Sequence, residues 1–401
     1  RWLVEERRWI SEMEFLHALN FCMLLPGPEA QQLATYVGWK LHGIRGGLIA
    51  GTLFIIPGAV VVMALTLLYF TWGELAVVRG LFEGLKPAVV IIVLQAMMKI
   101  AGRSLRGPVL SGMAVAAFLA MFVFKVPFPL VIAIAALAGA LGVREKTPDT
   151  TIAHDAQHDR SGRLQPLRLL AMFVALWIGP TALMLAALGP DNVFTQIGIF
   201  FSKMAVVTFG GAYAVLAYVS QEAVATFGWL MPGEMIDGLA MAETTPGPLI
   251  LVTQFVGFAA AFRDAGSLSP IAAGLLGGAL TTWVTFVPCF LWIFMGAPYM
   301  ERLRQNARLS AALKGVTAAV VGVILNLALW FSLHVLFADV RTHEFAGISI
   351  QAPVLQSLRV DSMLLTLLAA LVMFRFKAGV VTTLALTGGL GVILALVEVA
   401  G

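Results

Sequence analysis

The stretch AETTPGPLILVTQ, residues 242–254, places Pro246, Gly247 and Pro248 inside an apolar run long enough to cross a bilayer. Proline lacks the amide donor that an α-helix uses, and it pushes the residue before it out of the helical region. A helix must stop here, at what the flanking residues mark as membrane depth. LLPGPEAQQLATY, residues 24–36, repeats the arrangement with Pro26, Gly27 and Pro28. Unpaired amides and carbonyls are costly in hydrocarbon, so such breaks persist only where protein or a water-filled cavity supplies partners.

The rest of the chain supports the membrane setting. Hydrophobic residues make up 60% of it and charged residues 12%, against roughly a quarter charged in a soluble domain. Apolar runs of about 20 residues recur from end to end, which predicts an all-α polytopic protein embedded in a lipid bilayer. The net charge is +4, with bases clustered in short loops. This suits cytoplasmic loops and argues against nucleic-acid binding. Cys22 and Cys289 lie in apolar runs and fit neither a disulfide framework nor zinc spacing. No metal constellation, Walker motif or hydrolase motif is present, so the reading excludes an enzyme and implies no cofactor. Transport would then run on ion gradients or on a partner's work.

The chain is duplicated. Trp9, Glu14 and Pro26-Gly27-Pro28 recur at Trp229, Glu234 and Pro246-Gly247-Pro248, at one constant offset. Pro57 pairs with Pro288, and Lys86 with Lys314. Spans are predicted at 12–36 (broken), 47–71, 85–101, 107–124 and 126–143 in a first repeat, residues 1–143. A polar cytoplasmic linker follows at 144–166, then a connector helix at 167–189. The second repeat, 190–401, has spans at 193–219, 233–262 (broken), 270–297, 311–337, 361–376 and 379–399. The equivalent of 193–219 should lie just before Arg1, because the opening RWLVEERRWI reads as a loop joined to something upstream. Each repeat then has six segments, and the extra connector turns the second repeat upside down. Inverted repeats are a signature of secondary transporters. A re-entrant hairpin in place of a spanning broken segment would change this parity and make the repeats parallel. Sixteen of the bases fall on one set of alternate loops and nine on the other. The first set is expected in the cytoplasm, with the complete chain making 13 crossings and its C-terminus periplasmic.

A helix restarting after Pro-Gly-Pro offers free N–H groups and the positive end of its dipole, which suits an anion. Gln31 and Gln32 flank the first break; Thr244, Thr245 and Gln254 flank the second, all able to donate to an oxyanion. Glu29 and Glu243 would repel one when ionised. They read either as proton-coupling groups or as helix caps, and the breaks themselves either as a ligand site or as packing kinks. Lys203 is either a counter-charge or a side chain reaching to an interface. Gly210 and Gly211, after Phe209, mark either a close helix approach or an unwound stretch. Asp191 and Asp237 are expected at the interface.

FGGAYAVLAYV (209–219), MPGEMIDGLAMAETTPGPLILVTQFVGF (231–258) and FLHALNFCMLLPGPEAQQLATYVGW (15–39) resemble the two signature regions of the chromate ion transporter family in its long two-domain form. The resemblance covers nearly the whole chain except the first Phe-Gly-Gly helix. It implies a multi-pass protein of the bacterial inner membrane that exports chromate and confers resistance, by antiport with protons. Sulfate, an isosteric dianion, would compete, and a homodimer is a candidate assembly. The family's motif positions carry over to Phe209, Gly210, Gly211, Glu243, Thr244, Thr245, Pro246, Gly247, Pro248 and Gln254, and to Pro26, Gly27, Pro28, Glu29, Gln31 and Gln32. A channel for the same anions and a potential-driven uniporter are the alternatives.

Overall fold

The computed structural model describes residues 2–142, 164–209, 211–300, 306–345 and 348–400. Most of the expected linker, and Gly210, lie outside the described residues. Among these residues five helices are long and apolar enough to cross a membrane.

The first repeat holds α1 (Glu12–Leu24), α2 (Glu29–Trp72), α3 (Ala76–Ser104), α4 (Pro108–Phe122) and α5 (Phe128–Gly142). The connector is α6 (Leu164–Leu188). After it come α7 (Val193–Val207), α8 (Ala212–Gln221), α9 (Pro232–Thr244), α10 (Val252–Arg263), α11 (Pro270–Gly296) and α12 (Ala307–Leu336). A two-stranded antiparallel hairpin, β1 (Val340–Phe345) and β2 (Ile348–Pro353), precedes α13 (Val360–Ala370) and α14 (Val380–Ala400). The hairpin is an addition to the all-α expectation; its alternating sequence carries too little hydrophobicity for a span.

The largest departure concerns the broken segments. The helices stop at Leu24 and Thr244, and Gly27 and Gly247 take φ of +118° and +142°, a region open to glycine at little cost. At the first break the chain then turns back on itself. Lys40, near the end of the first stretch of α2, pairs with Glu14 at the start of α1. A helix continuing straight over 14–40 would hold them roughly 35–40 Å apart. Arg263, ending α10, likewise pairs with Glu234 at the start of α9. Both segments are therefore helical hairpins with Pro-Gly-Pro at the tip, not spans. Each leg of about 13 residues reaches roughly 20 Å, about half a membrane.

The repeated glutamate has a double role in this arrangement. Glu14 Oε2 accepts the Ser11 amide at 3.0 Å, and Glu234 Oε2 accepts the Met231 amide at 2.8 Å. Each closes the first turn of its helix while its other oxygen holds the base on the returning leg.

The predicted span 193–219 is a third hairpin. α7 stops at Val207, Gly211 takes φ +99° and α8 starts at Ala212. Phe200 of α7 and Tyr218 of α8 have ring centroids 5.4 Å apart, which is impossible along one straight helix.

After the first hairpin, α2 has non-helical angles at His42 and Gly43 and folds back. Gly38 abuts Gly46, and Gly47 lies against the Thr35 carbonyl. The second repeat builds the same seam between α10 and α11, where Gly257 meets Gly277 and Thr281. Small residues let helices approach closely where lipid offers no hydrophobic drive. Further seams cross the repeats: Gly80 and Gly84 of α3 against Gly391 of α14, and Gly139 of α5 against Gly315 of α12. Each repeat thus packs its closing helical pair onto the other repeat.

Candidate functional site at the hairpin tips

The first tip lies among buried groups. Pro28 caps α2 without a side-chain hydrogen bond, so the amides of Glu29, Ala30 and Gln31 have no partner within the helix; the Gln32 amide reaches the Pro28 carbonyl. Gln32 Nε2 donates to the Pro26 carbonyl at 2.7 Å, restoring a partner that the break removed. Gln31 Nε2 donates to Thr35 Oγ1 at 3.0 Å. Both glutamines are fully buried, and their Oε1 atoms lack hydrogen-bond partners.

The second tip is built alike and placed differently. Thr244 and Thr245 donate to the carbonyls of Met241 and Ala242, ending α9. Pro248 starts a 3-10 turn, Leu249–Leu251, again uncapped by any side chain. Gln254 Nε2 donates to the Ala59 carbonyl of α2 at 3.0 Å, and its Oε1 is buried without a partner. Pro246 and Gly247 are exposed, whereas Pro248 is buried.

Thr208, after α7, and Tyr213, in α8, reach the two tips. The Gly27 amide donates to the Thr208 carbonyl at 3.0 Å, so the tips of the first and third hairpins meet end to end. The Tyr213 hydroxyl, in the first turn of α8, donates to Glu243 Oε1 beside the second tip. Gly211 has open space where a Cβ would stand. It serves an unwound stretch, not a close helix approach. Phe209 is half-buried against the core, and Lys203 is exposed on α7.

Contacts across the repeats are reciprocal. A Cβ on Gly27 would lie 2.8 Å from Cys289 Sγ, next to Pro288 of α11. A Cβ on Gly58, next to Pro57 of α2, would lie 2.7 Å from the Pro246 carbonyl. Each tip thus rests on the proline-bearing helix of the other half of the chain.

Three helix starts without a side-chain cap lie at these tips, at Glu29, Leu249 and Ala212. Unsatisfied amides and aligned dipoles make such starts receptive to anions. Of the predicted donors, Gln254 lines a cavity of about 600 Å³ between α2 and α11; Gln32, Thr244 and Thr245 bond to backbone carbonyls, and Gln31 to the Thr35 hydroxyl. Sequence reading overlooked Thr208, Tyr213, Gly58 and Cys289. Tyr213 stands within the quoted FGGAYAVLAYV, but its partner lies 30 positions away. Asp237, expected at the interface, is buried. Among the described residues no group of His, Cys, Asp and Glu is arranged to hold a metal.

A family described as Chromate transporter matches residues 1–140 and 195–392. The chain is 33% identical over 329 residues to the chromate transport protein of Pseudomonas aeruginosa, covering 81% of this chain and 73% of that protein. It is 29% identical over 324 residues to the probable chromate transport protein of Synechococcus elongatus, covering 80% and 75%. An uncharacterized transporter of Methanocaldococcus jannaschii is 24% identical over 333 residues, covering 82% and 78%. No solved structure matches the chain.

Proposed function

The chain belongs to the chromate transporter family, and we propose that it is a secondary transporter exporting chromate across the bacterial inner membrane, coupled to the proton-motive force. The observation that carries this reading is the meeting of hairpin tips through the Gly27 amide and the Thr208 carbonyl. It gathers uncapped helix starts where a dianion needs donors.

Repeat orientation follows from the hairpins. A hairpin returns to the side it enters. In this topology the stretch 44–142 crosses four times and the connector once, and the hairpins 193–226 and 232–263 add nothing. This count supports a second repeat that begins opposite the first, inverted. One hairpin per repeat would have made the repeats parallel; two restore the inversion. Arg1, Arg7 and Arg8 move to the side of Lys40 and Arg45, which raises the charge bias from sixteen against nine to nineteen against six. That favours a cytoplasmic linker and a periplasmic C-terminus.

In this mechanism the amides at the three helix starts, with Gln31, Gln32, Thr244, Thr245 and Gln254, hold the dianion, and Lys203 draws it in. Glu29 or Glu243 carries the coupling proton, the latter through Tyr213. Export of a dianion from a negative interior is already downhill by about 2.3 kcal/mol per charge per 100 mV, so the proton serves release and gating. Sulfate, the same shape and charge, competes.

Uptake of labelled chromate and sulfate into everted vesicles, with potential and pH gradient varied separately, tests this. Saturable uptake that responds to the pH gradient is expected. Large ohmic currents would indicate a channel, and a response to potential alone a uniporter. Glu29→Gln and Glu243→Gln that both leave the pH response intact would remove the two glutamates from coupling.

A further inference from the structure

A second polar cluster lies away from the tips, where α9 begins. A cavity of about 390 Å³ opens there between the end of α2 and helices α3, α9 and α10. Asp237 forms part of its wall and is only 3% exposed. Its Oδ2 accepts from the Tyr69 hydroxyl at 2.9 Å and lies 3.6 Å from Lys86 Nζ. Its Oδ1, also buried, has no hydrogen-bond partner. Lys86 is held more closely by Glu83, at 2.5 Å, and Glu83 also takes Arg359 at 3.4 Å.

The remaining charged groups facing the cavity are Glu74, Arg79, Glu234 and Arg263. The last two pair with each other. Lys86 is thus one ammonium between two carboxylates, one on its own helix and one on the other repeat. A buried carboxylate with a bare oxygen is costly to keep ionised, and within a membrane protein such a group marks an ion or proton pathway by default.

We propose that Asp237 binds a coupling proton, with Lys86 as its counter-ion. This rests on the secondary-transport reading above and adds a carboxylate distinct from Glu29 and Glu243. The proton reaches Oδ1 from the cavity side. Lys86 then stays with Glu83, and the ionic tie between α3 and α9 is lost. Asp237 and Thr244 lie seven positions apart, on one face of α9, so a shift of α9 at Asp237 moves the second tip. Glu243, six positions on, faces elsewhere. When Asp237 gives up its proton, Lys86 draws α9 back.

Purified full chain in liposomes, with the potential clamped, separates two activities. One is exchange of labelled for unlabelled chromate, which needs no net proton movement. The other is chromate accumulation driven by a pH gradient. Asp237→Asn is expected to keep exchange while gradient-driven accumulation falls about tenfold and its pH dependence flattens; Asp237→Glu restores both. The double variant Asp237→Asn with Lys86→Gln removes the stranded ammonium and is expected to behave as Asp237→Asn does. Gradient-driven accumulation retained by either asparagine variant overturns the proposal. So does loss of exchange in both, because the pair would then serve folding or binding. Dependence of the unaltered protein on sodium in place of protons overturns it too. An unaltered protein that ignores the pH gradient sinks the coupled reading itself, whereas loss of coupling in Glu243→Gln alone sinks only the assignment to Asp237.

Discussion

The two Pro-Gly-Pro tips have the same three residues and the same left-handed glycine, yet their surroundings differ. Gly27 is buried, its amide bound to Thr208 and its bare face filled by Cys289 and Gln32. Gly247 is exposed, touched by Gly58 and Leu251. Among the described residues, no backbone carbonyl of another hairpin meets the second tip as that of Thr208 meets the first. Identical local chemistry produces an identical turn; an apposed hairpin decides whether that turn is buried or left exposed.

Substitution at the two glycines tests this difference most severely. Gly27→Ala forces an alanine into positive φ, at about 1–3 kcal/mol, and drives its Cβ to 2.8 Å from Cys289 Sγ and 2.9 Å from Gln32 Nε2. Chromate transport is expected to be abolished and thermal stability to fall clearly. Gly247→Ala carries the same conformational strain, but its nearest neighbour is the Gly58 Cα at 3.2 Å. A smaller loss of stability is expected in a detergent thermal-shift measurement, and equal losses would erase the distinction between the tips.

Gly58→Ala attacks the support of the second tip. Its Cβ would sit 2.7 Å from both the Pro246 carbonyl and Leu251 Cδ1, and overpacking of this kind costs about 1–3 kcal/mol. Cys289→Ala, under the first tip, only removes a buried sulfur and is expected to cost less. A larger effect at Cys289 on transport would mean that the tips do not rest on the opposing helices in equivalent ways.

Tyr213→Phe removes the hydroxyl that reaches Glu243. Loss of a hydrogen bond to a charged group is worth about 1.5–3 kcal/mol, so transport is expected to fall while the fold persists. Unchanged transport would detach α8 from the function of the second tip.

The smallest effects belong to the hairpin ends. Glu14→Gln removes a solvent-open ion pair and Glu234→Gln a half-buried one, each with half of a first-turn cap, about 1 kcal/mol apiece. The stability loss should shrink in high salt for Glu14, whose pair is open to solvent, and persist better for Glu234, whose partner also holds the Trp229 carbonyl.

Much of this was legible in the residues. Pro57 and Pro288, and Glu14 and Glu234, match in sequence and prove to have matching tasks. Gln32 and Gln254, expected to donate to an oxyanion, donate instead to the carbonyls of Pro26 and of Ala59 on α2. The linkage of Tyr213 to Glu243, of Gly27 to Thr208 and of Lys86 to Asp237 left no trace in any local pattern, because each joins segments far apart in the chain. Asp237 looked interfacial since it lies one turn and a half into a helix; the cover comes from α2 and α3.

The sequence by itself determined that the chain lives in a bilayer, where its helices must stop and that it carries one motif twice, because hydrophobic run length and the missing proline amide act locally. Only the tertiary structure decided which way the chain resumes after each stop. A break ends a helix without aiming the next one; that direction comes from distant partners, a lysine or arginine closing on a glutamate, and glycine faces close enough to let the legs lie side by side.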